Sequence, residues 1–225
     1  SDFRGFYHIG IGFTPSMAIN KANQLLIPYY GKYTTPRLLL ADIEVEALHG
    51  FDQVNILKTK IIDIPFGSYS VLPNNIYAIG NNFYFSHTNL YKVNAQGEIS
   101  TVLPNAHTST MIQIGQDIYS VGVRKLYKST DDGNTWNEVT PVNDRVVYRY
   151  KMIGDKVVAY HRTRGEIFEA TFSSNGIALR ELENDGIEHE YFTSLATLKG
   201  KVYITTFTGM YWRDLDGFFD DKKKE

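Results

Sequence analysis

The chain has 225 residues, of which 43% are hydrophobic and 21% charged, enough apolar material for a packed core and no signature of disorder. Its formal net charge is -2, with Lys+Arg 23 against Asp+Glu 25, which argues against a nucleic-acid partner, since a basic excess or stripe is that function's footprint. The absence of cysteine excludes disulfides, cysteine-ligated zinc and cysteine nucleophiles, and no apolar run approaches the roughly 18 residues of a membrane span.

Aromatic residues make up 14% of the chain, with 16 Tyr and 13 Phe, a composition suited to half-buried strands. The first β-like segment runs from Phe6 to Ile11. A four-strand unit follows: Ser16 to Asn20, Gln24 to Tyr29, Arg37 to Ile43 and Val54 to Ile62. Ala22-Asn23 forms its first turn, and Glu44 to Gln53 reads as an inserted loop or single helical turn. The pattern then recurs with a glycine at the first turn. Ile76 to Gly80, Asn82 to Phe85 and Leu90 to Val93 form one copy; Met111 to Gly115, Asp117 to Ser120 and Leu126 to Ser129 the next. Tyr150 to Gly154, Lys156 to Tyr160 and Ile167 to Ala170 form a third; Leu195 to Gly200, Lys201 to Ile204 and Met210 to Arg213 a fourth. The glycines step by 35, 39 and 46 residues between positions 80, 115, 154 and 200. Those at 80, 115 and 154 sit where a tight hairpin demands positive φ. Glu98 to Leu103, Thr135 to Val139 and Ala178 to Leu182 supply fourth strands.

Self-similarity at about 40–50 residues is the mark of a propeller or a solenoid. The predicted fold is therefore all-β: a five-bladed β-propeller of four-stranded antiparallel blades in a single domain, residues 1–225. The blades are expected near 14–64, 68–103, 108–140, 147–182 and 192–217. The last has no evident fourth strand of its own, and residues 6–11 are expected to supply it and close the ring.

One segment carries a sharper signature. Ser129-Thr130-Asp131-Asp132-Gly133-Asn134-Thr135-Trp136 matches Ser/Thr-x-Asp-x-Gly-x-Thr-Trp at every defined position. It resembles the Asp-box, or BNR-repeat, propellers, a group that includes sialidases, sortilin-type receptors and non-enzymatic repeat proteins. The chemistry of the motif is local. Asp131 is placed to accept hydrogen bonds from nearby backbone N–H groups, Gly133 takes a conformation that a Cβ forbids, and Trp136 adds a large apolar contact with a neighbouring blade. The resemblance implies a structural role for Ser129, Asp131, Gly133, Thr135 and Trp136, on the face opposite the usual ligand site. Sister turns at Asn94 to Gly97, Ser173 to Gly176 and Asp214 to Gly217 keep only the glycine.

Ligand contacts are expected on the loops joining second to third and fourth to first strands. The candidates there are His87, His107, Arg124, Arg145, Arg162, Arg164, Glu188, His189 and Tyr191. A sialidase-like hydrolase needs an arginine cluster, a Tyr activated by a Glu and an acid Asp. Arginines and a Tyr/Glu cluster exist, but the Phe/Tyr-Arg-Ile-Pro start of that family appears only as Phe3-Arg4-Gly5-Phe6, and one intact Asp-box is present. Glu188-His189-Glu190 could ligate a metal only with a further ligand such as His107, and solvated loop charge explains it more simply. No catalytic residue, metal or cofactor is assigned. The expectation is a non-enzymatic binding or assembly module for a protein or glycan partner, part of a larger assembly and secreted or virion-borne; the alternative is a glycoside hydrolase acting at the ring centre.

Overall fold

A computed structural model of the chain describes residues 16–30, 36–48, 51–65, 75–122, 125–139 and 148–221. Among them lie five antiparallel sheets, each a meander of sequence-adjacent strands, and one short helix. The first sheet holds β1 (Ala18–Ile19), β2 (Gln24–Tyr30), β3 (Pro36–Leu48) and β4 (Phe51–Asp63); the second β5 (Ile76–Ile79), β6 (Asn82–Ser86), β7 (Leu90–Val93) and β8 (Ile99–Leu103). The third is β9 (Thr108–Ile114), β10 (Asp117–Gly122), β11 (Leu126–Ser129) and β12 (Asn137–Val139). The fourth is β13 (Tyr148–Ile153), β14 (Lys156–His161), β15 (Ile167–Ser173) and β16 (Gly176–Glu181). The fifth has three strands, β17 (Phe192–Leu198), β18 (Lys201–Thr206) and β19 (Met210–Asp214), followed by α1 (Leu215–Phe218). This is the blade pattern of a five-bladed β-propeller. The expected closing strand, residues 6–11, lies outside the described residues. The chain falls into two compact units: residues 1–108 with 131–135, and residues 109–130 with 136–225.

The first unit is built on two facing apolar stripes. Leu26, Leu38, Leu40 and Ile62 of the first sheet pack with Phe83, Phe85, Tyr91 and Val93 of the second. Phe85 and Tyr91 stack with ring centroids 5.1 Å apart. Truncating either buried Phe to Ala costs about 3–5 kcal/mol by the usual cavity penalty. Polar clips hold the same two sheets in register. Asn20 donates to Asn81 O at 2.8 Å and Gln24 to Ala95 O at 2.9 Å, while the Asn20 amide oxygen accepts the N–H groups of Ala22 and Gln24. That Asn20 turn places Asn23 at φ 55, and the glycine of the equivalent turns lies at 59 in Gly80, 61 in Gly115 and 64 in Gly154.

The segment Glu44 to Gln53 is neither loop nor helical turn. β3 and β4 continue pairing through Val45↔Val54 to Leu48↔Phe51, past a register shift between Asp42 and Ile43. Alternating Glu44-Val45-Glu46 lets a two-stranded ladder run on beyond its sheet, with Val45 and Val54 left exposed.

In the second unit, Ile112, Tyr119, Val121 and Leu126 of the third sheet meet Tyr150, Val157, Ala159 and Ala170 of the fourth. The other face of the fourth sheet contributes Ile153, Val158, Tyr160 and Ile167 to a cluster with Phe192, Leu195, Val202 and Ile204 of the fifth. Strands buried on both faces read as near-continuous apolar runs, as Val157-Val158-Ala159-Tyr160 does. Phe218 of α1 is buried in the same cluster. Gly217 is thus helical rather than a turn glycine, because the chain after β19 winds inward to bury Phe218 instead of folding back as a hairpin.

Candidate functional site

The segment Ser129 to Trp136 forms the turn between β11 and β12. The Asp131 carboxylate accepts the N–H of Asn134 at 3.1 Å, the N–H of Thr135 at 2.8 Å and the Thr135 hydroxyl at 2.6 Å. Both carboxylate oxygens are spent on closing the turn. Ser129 is buried and Trp136 half-buried at its two ends. The neighbouring Asp132 does a different job, which the sequence does not reveal. Its carboxylate accepts from Asn82 Nδ2 at 2.8 Å, and its carbonyl accepts from Tyr84 Oη at 2.9 Å and Lys92 Nζ at 2.7 Å. Burial and the two aspartates push the Tyr84 phenol well above its ordinary range, so it remains a donor. Gly133, at φ 74, lies against that ring; a Cβ there would stand 2.2 Å from Tyr84 Oη.

The nine loop residues are distributed unevenly. His87 is half-buried and His107 exposed, both in the first unit. Arg124 and Arg145 lie outside the described residues. The other five converge in the second unit, on the β14–β15 turn and the segment leading into β17. Arg162 and Arg164 are exposed on the turn, and Arg164 Nη1 is 4.0 Å from Glu166 Oε1. Gly165, at φ 64, packs so closely that a Cβ would sit 2.3 Å from the Glu188 carbonyl oxygen. Asn184 donates to Gly165 O at 2.9 Å, and buried Ile187 fixes the segment in the core. Consecutive turn bonds, Ile187 N–H to Asn184 O and Glu190 N–H to Ile187 O, complete its shape. Burial pushes the pKa of His161, at the start of the turn, down; Arg164 adds to this and Glu166 opposes it. A neutral imidazole suits its contact, since Nδ1 accepts the Thr163 N–H at 3.2 Å.

The end of this segment carries an exposed aromatic pair. Tyr191 stacks on Phe207 from the β18–β19 turn, with centroids 5.9 Å apart and planes 18° from parallel. Phe207 is 73% exposed and Tyr191 50%. Beside them, Glu190 accepts the Thr208 hydroxyl at 2.6 Å and the Tyr211 phenol at 3.0 Å. The Thr208 hydrogen bond leads the causes that hold its pKa below the usual carboxylate range, so it is ionised and fixed at neutral pH. The site offers a flat apolar face next to an oriented acceptor. Of the expected loop residues only Tyr191 belongs to this pair; Glu190, which the sequence offers only within the Glu188-His189-Glu190 cluster, supplies the acceptor, and Phe207 and Thr208 arrive from 16 and more residues away. Among the described residues, no three His, Asp or Glu side chains converge as a metal site, and no helix is long and apolar enough to cross a membrane.

No protein-family model matches the sequence, and no curated protein matches it. Solved structures do match in three dimensions. The chain is similar to Kluyveromyces lactis Hsv2 with its complete loop 6CD, at 10% identity and TM-score 0.53, over 91% of this chain and 61% of that one. It therefore spans under two thirds of that protein. It is also similar to YjhT, at 10% identity and TM-score 0.55, over 86% of this chain and 72% of that one. At such identities the likeness shows the propeller fold and nothing finer.

Proposed function

We propose that this chain is a divergent Asp-box propeller acting as a non-enzymatic binding module, and that its ligand is a glycan held on the Tyr191–Phe207 face. The carrying observation is the exposed, near-parallel aromatic pair beside the Glu190 carboxylate. Aromatic rings offer an apolar face to the C–H side of a pyranose, while an ionised acceptor takes hydrogen bonds from hydroxyls more strongly than a neutral one. His189, exposed next to Glu190 in the same segment, adds a further polar group. A cysteine-free chain rich in Tyr and Asn suits an exported or virion-borne component in which this surface engages a carbohydrate.

A hydrolase reading draws on one contact, the Tyr211–Glu190 hydrogen bond, which resembles a nucleophile and its base. The lowered pKa of Glu190 and its second bond to Thr208 make it a weak base, so binding without turnover is favoured. Screening the full chain on an oligosaccharide array tests the binding reading; binding that survives Tyr191→Ala with Phe207→Ala defeats it. Release of the fluorophore from aryl sialosides or other aryl glycosides, abolished by Tyr211→Phe, would favour the hydrolase instead.

A further inference from the structure

Among the described residues β4 is an edge of the first sheet, 13 residues long and without proline. It carries Val54, Ile56, Leu57 and Ile61, each more than half exposed, and Val45 beside Val54 on β3 is 51% exposed. An open edge with solvated apolar side chains is a template for another strand.

The backbone groups that this edge offers follow from the ladder. Ile43 N–H donates to Asn23 O at 2.9 Å, so odd-numbered β3 residues bond toward β2 and even-numbered ones toward β4. The bonded β3–β4 pairs are then Leu38/Ile62, Leu40/Lys60 and Asp42/Lys58, followed beyond the register shift by Glu44/Asn55 and Glu46/Gln53. Leu57 is skipped in the register and forms a bulge. Val54 and Ile56 on one side of it, and Thr59 and Ile61 on the other, turn their N–H and C=O groups outward. Their spacing is two residues, then three across the bulge, then two. A regular strand presents bonding groups at every second residue and does not match that step. A second β4 run antiparallel does match it, with Ile56 opposite Thr59 and Val54 opposite Ile61, each pair occurring twice.

The side chains agree with the same register. Ile61, Thr59, Ile56 and Val54 lie opposite Leu39, Ala41, Ile43 and Val45, which alternation puts on one face of β3. Val54 of each copy therefore meets Ile61 of the other on a shared apolar face. On the opposite face, Lys60 comes to lie across from Asn55, whose β3 partner is Glu44, and Lys58 across from Leu57. The two lysines and Glu44 are exposed, so each copy sets its lysines beside the acid of the other.

We propose that two copies of this chain pair β4 with β4, antiparallel about a two-fold axis at the Leu57 bulge, and so join their first sheets into one continuous sheet. The contact is isologous, and it uses the open edge of both copies.

Sedimentation velocity of this 225-residue chain over a concentration series tests the association. The mass should rise from one chain to two and stop there. Ile56→Lys alters an exposed side chain and gathers lysines at the axis, so it should raise the dimer Kd at least about tenfold and leave the urea midpoint of the dilute chain unchanged. The absence of native cysteine lets the register be read by cross-linking. Asn55→Cys and Lys60→Cys would face each other as a non-bonded pair with Cα atoms about 4.5 Å apart, within disulfide reach. The two variants mixed and oxidised should form a disulfide dimer much faster than either alone. Lys60 Nζ also donates to Gln96 O at 2.7 Å, so a readout on the unaltered chain accompanies this one: the Val54, Ile56, Thr59 and Ile61 amides should gain hydrogen-exchange protection as concentration rises. A single-chain mass at every concentration overturns the proposal, as does growth beyond two chains. Undiminished pairing of Ile56→Lys, cross-linking indifferent to mixing, or exchange of those four amides independent of concentration overturns it equally.

Discussion

Replacing Gly133 by Ala perturbs the β11–β12 turn at its tightest point. The residue sits at φ 74, and the new Cβ would stand 2.2 Å from Tyr84 Oη, 2.8 Å from Cζ and 2.9 Å from Cε1. Left-handed backbone costs a Cβ-bearing residue roughly 1–2 kcal/mol. Tyr84 is fully buried, so its ring yields only by disturbing a close-packed interior, an overpacking cost of about 1–3 kcal/mol. The sum is roughly 2–5 kcal/mol. Gly115 provides the internal control: its φ is 61 and nothing lies within 4 Å of an added Cβ. Gly115→Ala should cost the backbone share alone, about 1–2 kcal/mol. Urea unfolding of both variants at constant m-value reads the difference directly. If Gly133→Ala costs no more than Gly115→Ala, the Tyr84 contact does not constrain the turn and the reasoning fails.

Asp131→Ala should destabilise by about 1–3 kcal/mol, because it removes the charge-assisted bonds that its carboxylate accepts from the Asn134 and Thr135 N–H groups; urea midpoints check it, with Asp131→Asn retaining part of the loss. The lowered pKa of His161 has a defined sign: below the unfolded value near 6.5 the unfolded chain binds the proton more readily, so stability is full above about pH 7 and falls as pH drops through 6.5 toward the folded pKa. Replacing His161 by Phe should flatten the midpoint-against-pH profile over that window, and an unchanged slope would refute the assignment. Val45→Thr with Val54→Thr, on the exposed part of the β3–β4 hairpin, should shift stability by less than about 0.5 kcal/mol while lowering self-association in light scattering.

The fold was legible because its punctuation is local. The glycine turns at 80, 115 and 154 take the positive φ that the hairpins require, and the apolar runs between them become strands buried on two faces. Asp131 was legible for the same reason, since all its partners lie within four residues. What resisted reading depends on chain returning from a distance. The Glu44 to Gln53 arm looks like a loop because Glu44, Glu46, Asp52 and Gln53 mask its alternation, which only pairing with Val54 and Asn55 makes visible. Gly217 mimics its sister turn glycines, yet burial of Phe218 draws the chain into α1 instead. At the candidate site, Tyr191 is one half of a pair whose other half, Phe207, is set by the β17–β18 register. Glu190 is oriented by the hydroxyls of Thr208 and Tyr211 rather than by neighbours in sequence.

The central claim is that ligand binds on the Tyr191–Phe207 face. Its most direct test is a titration of the strongest-binding array oligosaccharide into this 225-residue chain with 13C-labelled aromatic rings. The account predicts that the Tyr191 and Phe207 ring resonances shift together along a single saturating curve. It also predicts that Glu190→Gln, which keeps the shape but removes the charge, weakens binding about tenfold without moving the urea midpoint by more than about 0.5 kcal/mol. Saturating shifts confined to other rings, with Tyr191 and Phe207 unmoved, would contradict it.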